Sequence, residues 1–200
     1  MSGTGVEFFK KALEKTKNGK FERAIRILDE AIYNLNSIYS ISNNNSYSIS
    51  EWEFLDEISI CEKIVTHKKE NYKGYLALSL LFKMAGNHDR RKQYLQKALK
   101  IDNTIQRLWR EYGETNFHLG NVRYALQNFQ EALSLKNNCI VSLEGVGLCY
   151  YYLDEPFKSL KPLQKALEID SNNHILMNHI AFIQTEIGEI DAAMETIKQA

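Results

Sequence analysis

The stretch LWREYGETNFHLGNVRYALQNFQEAL, residues 108–133, decides the fold. Two segments with apolar residues at helical spacing flank Gly120, which marks a turn. The small residues Gly113, Ala125 and Ala132 stand where two antiparallel helices must approach closely. Reading outward from Gly113, small residues recur as Ala12, Ser79, Gly113, Gly147 and Ala181, at intervals of 67, 34, 34 and 34. Ala31, Ala98, Ala132, Ala166 and Ala200 repeat those intervals. Ala24, Arg91, Ala125, Ser159 and Ala193 do so with one large exception, and the Arg91 guanidinium is expected to reach solvent or a carboxylate at the edge. Bulky residues fill the gaps in the same registers: Phe8, Tyr75, Trp109, Leu143 and Met177 early in each first helix, and Leu28, Leu95, Phe129, Leu163 and Ile197 in each second helix.

A period near 34 with helical patterning means stacked helix pairs, each burying its apolar face against its neighbours. The combination Trp109, Tyr112, Gly113, Gly120, Ala125, Phe129 and Ala132 resembles the tetratricopeptide repeat family. That resemblance implies an all-α, right-handed superhelical solenoid of antiparallel helix pairs and a general activity of holding other proteins. The turn within each pair falls at Gly19, Gly86, Gly120, Asp154 and Gly188, where a left-handed residue is least costly for glycine or a short polar side chain. The family's proline at the repeat boundary is missing. Asn103, Asn137 and Ser171 stand in its place and are expected to cap the next helix.

The register places helices at 5–18 and 20–36, 72–85 and 88–101, 106–119 and 122–136, 140–153 and 156–169, and 174–187 and 189–200, with a further helix at 51–69. One solenoid over 1–200 is expected, with a first repeat at 5–36, a degenerate one at 37–71, regular ones at 72–105, 106–139 and 140–173, and an incomplete one at 174–200. The 67-residue interval is nearly two periods, so one repeat is disguised within it rather than skipped. Its opening, SIYSISNNNSYSIS at 37–50, combines Ser, Asn and β-branched Ile without charge and reads as a loop: a tolerated insertion or, alternatively, a short recognition segment. Ser50 and Glu53 form a capping-box pattern ahead of Phe54, Ile58, Cys61 and Val65 at helical spacing. Glu57 and Ile64 replace residues that are small elsewhere, so altered packing is expected there.

Composition narrows the function classes. With 44% hydrophobic residues, 200 residues suffice for a continuous core. Equal numbers of basic and acidic residues, 25 of each, give no electrostatic reason to expect nucleic acid or an anionic membrane as partner. No apolar run reaches transmembrane length. MSGTG lacks the regions of a signal peptide, and the early stop at Ala200 makes a piece of a larger protein the expectation. Cys61, Cys139 and Cys149 form no metal-ligand pair and are expected as reduced thiols packed like small hydrophobes, in a cytoplasmic setting.

Other motifs dissolve in the register. Gly145 and Gly147 make a GxG inside a helix rather than after a strand, so no nucleotide fingerprint is present. His174 and His179 are five residues apart, off one helical face, with nothing to complete a zinc site. Pro156 suits a helix start, whereas Pro162 sits inside a second helix and is expected to bend it. No catalytic constellation is discernible, no enzyme is expected, and no cofactor is implied.

In the family resembled here, the first helix of each unit lines the concave surface. Mapped onto this chain, that lining is Leu76, Leu80, Lys83 and Met84, then Arg107, Arg110, Glu114, Phe117 and His118, then Glu144, Leu148, Tyr151 and Tyr152, then Asn178, Phe182, Thr185 and Glu186. Rings and Met outside the core requirement make a candidate binding surface. Since consecutive helical positions diverge, Tyr151 and Tyr152 are not both expected to face inward. The basic and amide clamp that some family members use for chaperone tails is absent, so an amphipathic helix or extended apolar segment is the expected ligand. Phe117, Leu148 and Phe182 are expected to anchor it, with Arg107 and Arg110 orienting an acidic flank. The alternative is a structural module that self-associates, as a homo-oligomer through its terminal repeats, or docks by its ends or convex face. An RNA-binding helical repeat is disfavoured by the neutral charge.

Overall fold

In the computed structural model the described residues are 3–20, 22–24, 26–28, 30, 31, 33 and 55–199. They contain helices α1 (Gly3–Lys17), α2 (Leu55–His67), α3 (Tyr72–Met84), α4 (His88–Ile101), α5 (Gln106–His118), α6 (Val122–Leu135), α7 (Ile140–Tyr152), α8 (Pro156–Ile169), α9 (His174–Glu186) and α10 (Ile190–Gln199). The described residues between 22 and 33 are also helical, and no strand occurs among the described residues. From residue 72 onward every helix begins and ends within one residue of the place the register predicts. The 37–50 segment, Ser50 and Glu53 lie outside the described residues. No described helix is long and apolar enough to cross a membrane.

The turns explain that accuracy. Gly19, Gly86, Gly120 and Gly188 have φ of 69°, 68°, 73° and 88°, and Asp154 has 64°. At each one the following amide reaches back over the left-handed residue to the last helical turn: Lys20 N to Lys15 O at 2.9 Å, Asn87 N to Phe82 O at 2.9 Å, Asn121 N to Asn116 O at 2.8 Å, Glu155 N to Tyr150 O at 2.9 Å and Glu189 N to Gln184 O at 2.8 Å. The chain thus stops five helices by the same hydrogen-bonded cap, which requires one residue with positive φ and is local in sequence.

The N-cap residues differ from expectation. Asn103, Asn137 and Ser171 do not cap; the N-cap positions fall two residues later, at Ile105, Cys139 and Asn173. Of these only Asn173 places a side-chain oxygen on the new helix, accepting from Leu176 N at 3.1 Å. Helix α8 starts on Pro156 and continues through Pro162 to Ile169 without interruption.

The chain divides into two compact units, Met1–Asn103 and Thr104–Ala200. In the second, α5 pairs with α6, α7 with α8 and α9 with α10, while α6 stacks on α7 and α8 on α9. The small residues do what close approach demands. A Cβ added to Gly147 would lie 2.6 Å from Leu163 Cγ, and one added to Gly113 would lie 2.8 Å from the Phe129 ring. Phe129 also meets the following first helix, where a Cβ on Gly145 would lie 2.6 Å from the opposite edge of the ring. One buried aromatic side chain is therefore clamped between glycines of two successive first helices. A second cluster joins Leu143, Leu163, Ala166, Leu176, Ile180 and Ile183.

In the first unit α1 packs on α2, α2 on α3 and α3 on α4. Phe9, Ala12, Ala24, Leu28 and Ala31 are buried there. Ile64 occupies a position that is alanine in the regular repeats, yet it is fully buried. The compensation lies on α3: a Cβ on Gly74 would meet Val65 Cγ1 at 2.6 Å and Ile64 Cγ2 at 3.7 Å. Position 74 is Leu108, Ser142 and Leu176 in the later repeats, so the large and small partners have exchanged helices. Of the two outlets expected for Arg91, solvent or a carboxylate, the first is closed. The residue is 0% exposed, so its guanidinium does not reach solvent. The position lies on the inner side of α4, among Leu95 and Ala98.

Candidate partner-binding face

The first helices of the second unit, α5, α7 and α9, carry the face to which the sequence points. One helical turn beyond the small contacts Gly113 and Gly147 stand Phe117 and Tyr151. Both are half-buried and rooted in the core: Phe117 packs against the cluster of Ala125, Phe129, Val146 and Cys149, and Tyr151 against that of Leu143, Leu163 and Leu176. The flat second-helix surface made possible by the small residues leaves each ring lying partly on the core and partly open.

From these roots a continuous row of rings crosses the three helices. Phe117 meets Tyr152 edge to face at 5.3 Å, Tyr152 meets Tyr151 at 5.4 Å, and Tyr151 meets Phe182 at 5.4 Å. His118 extends the row at 6.5 Å from Phe117. Edge-to-face pairs at these centroid distances are the favoured aromatic geometry, and each stiffens its neighbour. Tyr152 and Phe182 remain 62% and 51% exposed. Contrary to expectation, both consecutive tyrosines enter the row, because long side chains from adjacent helical positions can meet at their ends although their Cα–Cβ bonds diverge.

The polar residues beside the row contact one another. Arg110 Nη2 donates to Glu111 Oε1 at 2.7 Å, and Arg107 Nε lies 4.0 Å from the same oxygen. Glu111 is 3% exposed, so Arg110 serves a buried carboxylate, with Arg107 at the limit of ion-pair range. Burial alone would lower the Arg110 pKa, but the charge and hydrogen bond of Glu111 outweigh it and the net displacement is upward. Two further carboxylates border the ring row with histidine partners: Glu114 with His118 at 3.9 Å, and Glu144 with His179 Nδ1 at 3.1 Å. Beside these polar residues, the ring row offers aromatic surface outward.

Leu148 is half-buried beside the row. Leu76, Leu80 and Met84, expected to line the same surface in the first unit, are 4%, 3% and 7% exposed. They belong to the buried set because α3 is apolar around most of its circumference, with nine of its residues buried.

Two features escaped the sequence reading. Glu111 follows Arg110 directly, and helical patterning gives no reason to pair adjacent positions. Cys139 differs from Cys61 and Cys149, which are buried as expected. It is the N-cap residue of α7, and Ser142 Oγ lies 3.3 Å from its Sγ. Burial pushes its thiol up, but hydrogen bonds from Ser142 and Gln106 and the Arg110 charge prevail, and its pKa falls below the ordinary value. Among the described residues no group of His, Cys, Asp and Glu could hold a metal ion.

Comparison with known proteins agrees with this architecture. A family model for the tetratricopeptide repeat matches residues 72–105. The TPR repeat-containing protein MJ1428 of Methanocaldococcus jannaschii is 19% identical over 160 residues, covering 80% of this chain and 28% of that protein. BBSome complex member BBS4 of Bos taurus is 24% identical over 137 residues, covering 68% of this chain and 26% of that protein. The chain thus spans between a quarter and a third of the length of these relatives. Among solved structures, MamA superposes with a TM-score of 0.71 at 20% identity, covering 74% of this chain and 87% of that one. YrrB, described as a TPR protein with an unusual peptide-binding site, superposes with a TM-score of 0.68 at 15% identity, covering 96% and 89%. The fold is that of the helix-pair solenoids.

Proposed function

We propose that this chain, which belongs to the tetratricopeptide repeat family, is a protein-interaction scaffold whose first-helix face in residues 104–200 receives an apolar segment of a partner protein. The observation that carries this reading is the ring row Phe117, Tyr152, Tyr151, Phe182, in which two members are more than half exposed although rooted neighbours hold them in place. Preorganised rings bury large area at small entropic loss, and such residues dominate binding energy at interfaces. The description of YrrB as a peptide-binding protein of the same fold favours a peptide or helix as the occupant. Because Arg107 and Arg110 serve Glu111, apolar contact rather than an acidic flank is the recognition element, and affinity depends only weakly on salt. A cytoplasmic setting fits the three unpaired cysteines.

Peptides selected from a displayed library on the intact chain test the assignment. Tyr152→Ala and Phe182→Ala are expected to weaken the selected peptides more than about tenfold each, the loss typical of an interface anchor. Tyr124→Ala, at a ring 66% exposed on the second helix α6, is expected to leave them unchanged. Peptides insensitive to Tyr152 and Phe182 but sensitive to Tyr124 would overturn the reading. Alanine at Phe117 is a poorer test, since that ring also supports the core.

A further inference from the structure

The chain is neutral as a whole, but its two units are not. Residues 1–103 carry 17 basic and 13 acidic residues, and residues 104–200 carry 8 and 12. In the first unit the excess gathers where the first helix pair turns: five cations and one carboxylate stand between residues 15 and 26. An open cleft of about 540 Å³ lies there, lined by Gly19, Lys20, Glu22, Arg23, Arg26 and Lys68. A second cleft of about 440 Å³ is lined by Arg23, Arg26, Ile27 and Glu30. Arg23 and Arg26 border both and form the ridge between them. Lys20, Arg23 and Arg26 are exposed, and their spacing of three sets each beside the next on the helix surface. Lys68, just past the end of α2, brings a fourth cation from another part of the chain. Every wall lies between residues 19 and 68, inside the sequence, and none stands on a first helix.

The repeat itself does not require this charge. At the positions of Lys20, Arg23 and Arg26 the pair of α5 and α6 carries Asn121, Tyr124 and Gln127, and no later repeat is cationic at all three. The residue types indicate the ligand. Two guanidinium forks side by side match two neighbouring carboxylates, each fork taking one in bidentate fashion. Glu22 and Glu30 interrupt the positive surface at its borders. That arrangement suits a short acidic stretch rather than the long run of phosphates in a nucleic acid or the headgroup layer of an anionic membrane.

We propose that this cleft binds an acidic segment of a partner protein, in which two neighbouring Asp or Glu side chains, about 5–6 Å apart, reach Arg23 and Arg26 while Lys20 and Lys68 add positive charge around them. The site is separate from the ring row and does not depend on that assignment. It also differs in kind, since recognition by exposed charge falls steeply with salt. Exposed cations contribute little singly, so the affinity is weak, on the order of 100 µM at low salt.

Fluorescence anisotropy of labelled hexaglutamate with the 200-residue chain tests it, with hexaglutamine as the neutral counterpart. Hexaglutamate is expected to bind and hexaglutamine is not. Raising the salt from about 0.02 M to about 1 M, where the screening length is about 3 Å, is expected to abolish the binding. Arg23→Gln and Arg26→Gln, at exposed positions whose substitution leaves the helical circular dichroism intact, are each expected to weaken it about threefold and together at least tenfold. Arg26→Lys keeps the charge but loses the fork, and is expected to weaken it about twofold. Lys100→Gln removes the same charge from the exposed surface of α4 in the same unit and is expected to change nothing. Absence of binding at low salt, or binding that survives the double variant, would overturn the proposal. An equal loss in Lys100→Gln would overturn the assigned cleft, leaving only the general charge of the unit. Phosphatidylserine vesicles and an oligothymidylate serve as competing probes. Tighter binding of either than of hexaglutamate, lost in the double variant, would overturn the choice of a protein partner in favour of a phosphate ligand.

Discussion

The clamp on Phe129 allows a stability prediction whose sign runs against helix propensity. Replacing a helical glycine by alanine ordinarily stabilises by about 0.8–1 kcal/mol. At Gly145, however, the new Cβ would lie 2.6 Å from Phe129 Cε2 and Cζ, and ordinary contact needs about 3.5 Å. The ring must therefore retreat by about 0.9 Å, and the retreat is blocked, because Gly113 already holds the other edge at a distance where its own Cβ would sit 2.8 Å away. The ring is 4% exposed, so it cannot swing into solvent. Overpacking of this kind costs about 1–3 kcal/mol, and with no escape route the upper part of that range applies. Subtracting the propensity gain leaves Gly145→Ala destabilised by about 2 kcal/mol, a fall in Tm of roughly 4–8 °C for a chain of this size.

Urea denaturation followed through Trp109 fluorescence in a Trp52→Phe background measures it locally, since Trp109 lies on α5 in the same unit. The decisive control is Phe129→Leu, which removes the ring. In that background Gly145→Ala is expected to change sign and stabilise by about 0.5–1 kcal/mol. Gly113→Leu with Phe129 present belongs among the worst substitutions in the unit. If Gly145→Ala stabilised the chain with Phe129 in place, the clamp would be refuted.

Three further outcomes follow from other sites. In the first unit Gly74→Ala is expected to destabilise, because its Cβ meets Val65 Cγ1 at 2.6 Å, but to be neutral or stabilising in a Val65→Ala chain, with a coupling of about 1 kcal/mol in the double-mutant cycle. Iodoacetamide mass spectrometry near neutral pH is expected to modify Cys139 first, since its pKa is lowered, while burial holds Cys149 up at about 12; Arg110→Gln is expected to slow the Cys139 reaction. Glu57, 9% exposed on α2, has a carboxyl pKa raised mainly by burial above its ordinary 4.5. The folded chain then holds that proton more tightly than the unfolded chain, so its contribution to stability falls as pH rises past 4.5. Glu57→Gln is expected to raise Tm at pH 7 and to lose that advantage below about pH 4.

What the sequence displays and what it hides divide along physical lines. The turns at Gly19, Gly86, Gly120, Asp154 and Gly188 are legible because a left-handed backbone is a demand on one residue, and the same period carries it through the chain. Gly113 and Gly147 are legible for the related reason that each meets its partner within one helix pair. Gly145 is not, because the ring it accommodates belongs to the preceding pair and the neighbouring repeats hold Glu111 and His179 in its register. The fit of Ile64 beside Gly74 is hidden in the same way: Ile64 is large where its series is alanine, and only the structure shows that it faces a glycine. The capping residues, though not the helix starts, were misplaced by two residues, because two of the three caps carry no side-chain hydrogen bond for the sequence to display.

The candidate face obeys the same division. The small residue that lets two helices close is followed one turn later by the ring that spreads across the surface so created, at Gly113 with Phe117 and at Gly147 with Tyr151. The period that builds the core therefore also positions these rings. The chemistry on that face is set by contacts between helices, which the period does not encode: Tyr152 bridging to Phe117, Tyr151 bridging to Phe182, and Glu111 drawing Arg110 inward. On the proposed function those contacts shift the weight of recognition from an acidic flank toward apolar area, because a guanidinium that holds a buried carboxylate is fixed in place and has fewer donors left for a partner.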